Sequence, residues 1–347
     1  MAKTNFATDN ALTKKIWEES LYRDAAKEAY FSKFQSNGAD NIVTVKRQLE
    51  KDKGDEITVG IRMRLTGAGV TEGTQLEGNE EALSTYSMKV RLAQYRHAVR
   101  DAGAMARQRT IINISAEAQS ALKDWMSEKI DALHFDALGI GAGASDSPSK
   151  IFYKTSSGVQ STGTAATAKS ALTVANGKLD LNMISWLKTW ARTGGARDYI
   201  PLRPIKIKGK DYFVLLTHDD CLYDLRSDSS FQQAMREAEV RGSENPLFTG
   251  AVAIWDQVVI HAHENCFIGT DAGATTNVPY AKSAFLGAQA LCWAWGKPVE
   301  VVQEDFDYKN ELGYGIGMIA GVKRSAFNSK DYGSFGVYLS RTNVSGS

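Results

Sequence analysis

The stretch that most constrains this 347-residue chain is an alternation in its first hundred residues. Ile57, Val59, Ile61, Met63 and Leu65 alternate with Thr58, Gly60, Arg62 and Arg64, so a strand there has one apolar and one basic face. A second alternating run covers 84–99, with Tyr86, Met88, Val90 and Leu92 set against Lys89 and Arg91. After Leu92 the apolar phase slips to Ala93 and Tyr95, the mark of a bulge or a sharp twist. Between the runs lies TGAGVTEGTQLEGNEEAL, too long for a tight turn and carrying Glu72, Glu77, Glu80 and Glu81. The pattern predicts a projecting two-stranded arm with basic strands and an acidic tip. Two strands alone bury too little apolar surface to offset the ordering of the chain. Such an arm needs something to lie on, and its segregated charge suits a neighbour of opposite polarity.

The remaining elements predict an α+β chain. Residues 11–34 read as an amphipathic helix with Trp17, Leu21, Ala25 and Ala29 on one stripe, closing on Tyr30, Phe31 and Phe34. Residues 115–138 form the longest helical pattern, with Leu122, Trp125, Met126, Ile130, Leu133 and Ala137 on one face. Ser115 is its expected cap and Gly139 its stop, while Lys129 and Asp136 interrupt the apolar face and are expected to reach partners. The Ser/Thr/Gly/Ala-rich stretch 143–178, whose only apolar knot is Ile151-Phe152-Tyr153, reads as loop and surface insertion. A helix over 180–192 is capped by Asp180 and stopped by Gly194-Gly195. Strands follow at 211–217 and 251–261, separated by two short helices over 219–241 with Asp219 as a cap. Residues 284–295 are apolar on both faces and predict a central strand. In GYGIGMIAGVK, Tyr314, Ile316, Met318, Ala320 and Val322 face one way and Gly313, Gly315, Gly317 and Gly321 the other. Glycines on one face admit a close neighbour, and the helix 115–138 is the expected one. Residues 334–341 make a last strand.

Several functions are argued against. Lys plus Arg is 41 against 40 for Asp plus Glu, which disfavours a chain built to coat nucleic acid. Within 46–100, ten basic residues face eight acids, and the acidic tip suits a protein partner better than phosphate. No run of about 18 apolar residues is present to cross a bilayer as a helix, and the first ten residues lack an apolar signal core. Cys221, Cys266 and Cys292 include no CxxC pair and are expected as free thiols of a protein made in a reducing compartment. His261-x-His263-Glu264-x-Cys266 has two imidazoles on one strand face, but no fourth ligand at helical spacing accompanies them, so no metal is expected. No dinucleotide, Walker, GxSxG or HExxH motif occurs, and no catalytic residue or cofactor is expected.

The segments TNFATDNALTKKIWEESLYRDAAKEAYFSKF, GDEITVGIRMRLTGAGVTEGTQLEGNEEAL and YRHAVR are similar to major capsid proteins of the N4-like family of tailed bacteriophages. NPLFTGAVAIWDQVVIH and EDFDYKNELGYGIGMIAGVKRSAF resemble strands shared more widely by capsids of the Hong Kong 97-type fold. The likeness runs over nearly the whole chain, apart from 143–178. It implies an N-arm at 1–40, an E-loop at 41–100, and a P-domain at 101–198 and 297–327 around the spine helix 115–138. It places an A-domain at 199–296, with 328–347 returning to it as the C-terminal strand. It also implies hexamers and pentamers in an icosahedral virion shell, assembled in the host bacterial cytoplasm. The implied partners are other copies of the chain, a separate scaffolding protein, a portal, a decoration protein and packaged double-stranded DNA, with no membrane. A long leader removed at maturation is not expected, since the first helical pattern starts about ten residues in. Inter-subunit contact is expected through Trp17 and Leu21 of the N-arm. On the E-loop it is expected through Ile57, Val59, Ile61, Arg62, Met63, Arg64, Glu77, Glu80, Glu81, Lys89 and Arg91. The tip acids are expected to meet Lys323 or Arg324 of an adjacent subunit. The competing readings are an encapsulin-like nanocompartment shell of the same fold and a metal-dependent enzyme using His261 and His263.

Overall fold

A computed structural model describes residues 29–342 other than 39, 51–53, 63–64, 66, 68, 110–113, 195–200, 208, 238–252 and 275–276. Along the chain come β1 (Val43–Lys46), β2 (Glu56–Arg62), β3 (Thr85–Arg91), β4 (Ala93–Arg100) and the long helix α1 (Ile114–Leu138). Then follow β5 (Ile151–Thr155), β6 (Gly158–Thr162), α2 (Leu181–Thr193), β7 (Lys210–Thr217) and α3 (Asp219–Arg226). The last elements are β8 (Val258–Ala262), β9 (Val278–Leu286), β10 (Leu291–Phe306), β11 (Glu311–Arg324) and β12 (Ser334–Ser340).

Two sheets organise these elements. In the first, β1 pairs parallel with β10, β10 antiparallel with β11, and β11 antiparallel with β4. The second runs from Ala253–Trp255 through β8, β7, β9, β12, β5 and β6. The arm strands β2 and β3 form a separate antiparallel pair, with Ile57 opposite Val90 and Val59 opposite Met88.

The stripe of α1 lies on the first sheet: Leu122, Met126 and Ile130 pack in one core with Trp293, Ile316, Met318 and Ala320. This corrects the expected side. The helix meets the large residues of β11 rather than its glycines, because burying apolar area on both partners is worth about 25 cal/mol per Å². Ser115 is the second residue of α1 rather than its cap, and its hydroxyl accepts a hydrogen bond from Tyr314 at 2.8 Å. Lys129 lies over the Tyr95 ring and Asp136 accepts the Gly143 N–H, so both are used within the chain.

Other expectations change as well. Residues 151–162 are a hairpin, not a surface loop: Ile151 and Phe152 are fully buried and pair with Gly336 and Val337 of β12. The apolar run 284–295 is the end of β9 and the start of β10, with Gln289 at positive φ in the turn that passes the chain from one sheet to the other. Residues 251–261, read as one strand, hold two, Ala253–Trp255 and β8, joined by Asp256 and Gln257 at positive φ. The cap of α3 is His218, whose Nδ1 accepts the Asp220 N–H, and not Asp219. Helix α2 follows its signals: Asp180 accepts the Met183 N–H at 2.9 Å and Gly194 closes it at φ 67°. The expected helix over 11–34 lies mostly outside the described residues, and its described end, Tyr30–Phe34, is a 3-10 turn.

Candidate functional site

The arm divides into a root committed to its own chain and an open tip. At the root, Ile57, Met88 and Val90 are buried against Cys292, Ala294 and Phe327 of the same chain, with Val59 and Ile61 half-buried beside them. Ile57, expected to be offered to a neighbour, is instead 6% exposed in an intramolecular cluster. The phase slip after Leu92 is where the chain leaves the arm pair and enters the first sheet, since β3 ends at Arg91 and β4 starts at Ala93. Gly321 makes that crossing possible: a Cβ there would lie 2.1 Å from the Arg91 carbonyl oxygen.

The basic charge at the root is also partly matched internally. Glu56 bonds Lys89 at 2.7 Å and Arg91 at 3.4 Å, and the Lys89 hydrogen bond leads in holding its carboxyl below the usual range. Lys323 donates to the Lys89 carbonyl, and Arg324 pairs with Asp331 while donating to the Ala137 and Ser147 carbonyls. Arg324 is therefore engaged within its own chain. Arg62 is exposed, while Met63, Arg64, Trp17 and Leu21 lie outside the described residues.

The tip has the opposite character. Leu65, Leu76 and Leu83 are 62%, 61% and 58% exposed. Glu80 accepts the Gly78 N–H at 2.8 Å and Glu81 the Gly67 N–H at 2.6 Å, so these two acids hold the loop's own shape. Glu72 and Glu77 are exposed, with no ion pair among the described residues.

The side of the first sheet facing away from α1 is a groove of about 730 Å³. Three cross-strand rows build it: Glu304–Gly313–Arg100, Val302–Gly315–Ala98 and Glu300–Gly317–Arg96. Its floor is the glycine column, with the Phe306 ring lying over Gly313, and its walls carry Glu300 and Glu304 on one strand and Arg96 and Arg100 on the other. Arg100 is drawn to Glu311 and stacks on Phe306, and Glu300 is paired with Lys297. Arg96 lays its stem over Gly317 and has no ion pair among the described residues.

A buried polar knot that the sequence reading missed ties the N-terminal segment to α1. Asp131 accepts the Tyr30 N–H at 2.7 Å and the Phe31 N–H at 3.2 Å. His134 is stacked between Phe31 at 4.9 Å and Trp293 at 4.6 Å, both nearly parallel, with Nδ1 donating to the Ile130 carbonyl. Burial pushes the His134 pKa down to about 4 and raises that of Asp131, the latter against its hydrogen bonds from Tyr30 and Phe31. Neither residue carried a signal in the sequence, because Tyr30, Phe31 and Trp293, which they meet, lie far away along the chain.

No metal centre assembles among the described residues. His261 is fully buried near the Phe34 ring, His263 packs on Tyr30 at 4.5 Å, and no cluster of three potential metal ligands is found. Cys221, Cys266 and Cys292 are buried free thiols. Desolvation pushes the Cys221 thiol up to about 12, which makes it a poor nucleophile. No described helix is long and apolar enough to cross a membrane.

Comparison with known proteins gives a consistent result. Residues 5–339 match the family described as phage capsid protein. The major capsid protein of Pseudomonas phage KPP25 is 28% identical, with 97% of each chain covered. The capsid of Ralstonia phage GP4 superposes with a TM-score of 0.80 at 26% identity over the full length of both chains. The capsid asymmetric unit of cyanophage Pam1 shares the fold, with a TM-score of 0.75 at 23% identity over 98% of this chain and 99% of that one.

Proposed function

From the premise that this chain belongs to the phage capsid protein family and is a phage major capsid protein of the Hong Kong 97-type fold, we infer that it acts as a purely structural subunit. In this reading it closes into an icosahedral shell of hexamers and pentamers around double-stranded DNA. Copies of itself are the primary partner. A scaffolding protein, a portal and a decoration protein are the further partners that the resemblance suggests, with assembly in the host cytoplasm. The segments quoted above support a place in the N4-like group.

The observation that carries the reading is the arm. Its root is fixed by the chain's own core, yet its tip carries three large exposed leucines among acids. A single copy gains nothing by holding those leucines in water, and burying each in a neighbour would contribute about 1.5–3 kcal/mol as an upper bound. The leucine-bearing tip, with Arg62 and Glu77 of the expected set, therefore forms the inter-subunit part of the arm. Ile57, Lys89, Arg91, Glu80 and Glu81 serve the arm's own structure. The residues 101–198 and 297–327 then form the peripheral domain and 199–296 the axial one, with the hairpin β5–β6 and helix α2 packed on the axial side.

Electron microscopy of the purified chain under assembly conditions tests this. Closed shells far larger than a subunit are expected. A folded monomer that never assembles would contradict it, and shells that enclose protein cargo instead of DNA in infected cells would favour the nanocompartment reading.

A further inference from the structure

We propose that Asn37 is a site of spontaneous covalent modification, at which the side-chain amide becomes aspartate and isoaspartate through a cyclic imide closed by the Gly38 nitrogen. The chain's other Asn-Gly pair, Asn176-Gly177, is held inert by the fold. The change is independent of the shell reading and needs no enzyme.

This reaction meets least hindrance at Asn-Gly, because the attacking nitrogen belongs to a residue with no side chain and a wide choice of backbone angles. Water is its only co-reactant. The Gly38 nitrogen gives up its proton and bonds to Asn37 Cγ. The Cγ–Nδ2 bond breaks, and the amide group leaves with that proton as ammonia. Water then opens the ring at either carbonyl, leaving aspartate or, with the backbone rerouted through the side-chain carbons, isoaspartate. Closure therefore asks for a free nitrogen, room beside the glycine and a backbone able to swing.

The two pairs are equal in sequence, and the fold separates them. Asn37 and Gly38 are exposed in the bend after Ser36. Among the described residues the Gly38 N–H meets the Ser36 hydroxyl, at 3.1 Å, a contact inside the bend that moves with it. A Cβ at Gly38 would meet nothing nearer than Asn41 at 3.5 Å beyond its adjoining residues, so the ring has room to form. Gly177 has none of this freedom. It is buried, its N–H donates to the Thr173 carbonyl at 3.1 Å, and its carbonyl accepts the Ser340 N–H at 2.9 Å. A Cβ there would lie 2.7 Å from Ser340 Oγ and 2.9 Å from the Thr173 carbonyl oxygen. Lys178, the next residue, is tied to Asp224 and Thr342. Asn176 can react only when this segment lifts off β12, a local opening that its packing makes rare.

The product alters the bend. A carboxylate at position 37 brings a second anion close in sequence to Asp40, which holds Arg203 at 2.6 Å. Isoaspartate also lengthens a bend whose ends are fixed. Ser36 is paired beside Thr44, and the Asn41 carbonyl accepts the Gln289 N–H at 2.7 Å. The modified fraction of chains grows with age.

The test is peptide mapping of unassembled full-length chains aged in mildly alkaline heavy-oxygen water and digested in acid, which suppresses further reaction. Label should enter at position 37 as aspartate and isoaspartate, and Asn176 should convert at least about tenfold more slowly. In denaturant the two asparagines should convert at similar rates. Gly38→Ala, for which the bend has space, should slow conversion at Asn37 by on the order of tenfold with the circular dichroism of the chain unchanged. An Asn37 that stays unlabelled in the folded chain, or equal rates at the two asparagines there, would overturn the proposal. So would a difference between them that persists in denaturant, or a Gly38→Ala chain that converts as fast as the unmodified one.

Discussion

Helix α1 and the β2–β3 arm are both elongated amphipathic elements, and they dispose of their apolar surface in opposite ways. Leu122, Met126 and Ile130 of α1 are 2% exposed or less, closed under the first sheet and the aromatic stack of Phe31, His134 and Trp293. The arm buries Ile57, Met88 and Val90 at its root and then carries Leu65, Leu76 and Leu83 into solvent. The difference separates two tasks. Apolar surface that the chain covers itself sets the stability of the subunit, whereas surface left open on a fixed root is available only to association. A substitution should therefore act on folding in one region and on assembly in the other.

The largest effect is expected in α1. Met126→Ala should destabilise the subunit by about 2–5 kcal/mol, the range for a large buried residue cut to a methyl, measured by denaturant unfolding of unassembled chains. A smaller loss would mean that the sheet collapses onto the helix.

Acid should act on the same region. His134 is neutral in the fold because burial pushes its pKa from 6.5 to about 4. The unfolded chain takes up that proton first, so its contribution is fully present above about pH 6.5 and is lost as pH falls toward 4, by up to about 3 kcal/mol. Asp131 works in the opposite sense in the acid range, since its raised pKa makes its protonated form the easier one to bury. Comparing wild type with His134→Phe, which keeps the stack, isolates the histidine: the variant should lose less stability between pH 6.5 and 4. Equal slopes would show that His134 is not held neutral.

Next comes the tie between α1 and the N-terminal segment. Asp131→Ala leaves the Tyr30 and Phe31 N–H groups without their acceptor and should cost about 1–3 kcal/mol. Proteolysis near Tyr30 should quicken before the core unfolds; unchanged proteolysis would mean that the aromatic stack alone holds the segment. The smallest effect on the subunit belongs to the tip. Leu76→Ser with Leu83→Ser should change subunit stability by no more than about 0.5 kcal/mol yet impair assembly, and a large loss of subunit stability would show that the tip packs within its own chain.

Much of the fold was legible because its signals are local. The period-two pattern at 57–65 and 84–99 placed the arm, the phase slip at Leu92 marked where it joins the sheet, and the 3.6-residue stripe placed α1. Asp180 and Gly194 bounded α2 because capping depends on three or four neighbouring residues. What was not legible depends on contacts distant in sequence. The hairpin 151–162 is poor in apolar residues and becomes a strand pair only because β12 supplies Gly336 and Val337 beside it. The run 284–295 looked like one strand because both β9 and β10 are buried on two faces, so composition does not change where the chain passes between sheets. The side of β11 that α1 covers, the role of Asp131 and the internal use of Arg324 each require a partner more than a hundred residues away in sequence. For the candidate site, the acidic tip was visible in the sequence, but the division between acids that brace the loop and acids that face outward was not.

Amide hydrogen exchange over residues 65–84, compared between unassembled subunits and closed shells, tests the central claim most directly. The account predicts rapid exchange at the tip in the free subunit and strong protection there in the shell, with α1 protected equally in both. Equal exchange at the tip in the two states would show that the exposed leucines meet no neighbour and would contradict the assignment of the arm to assembly.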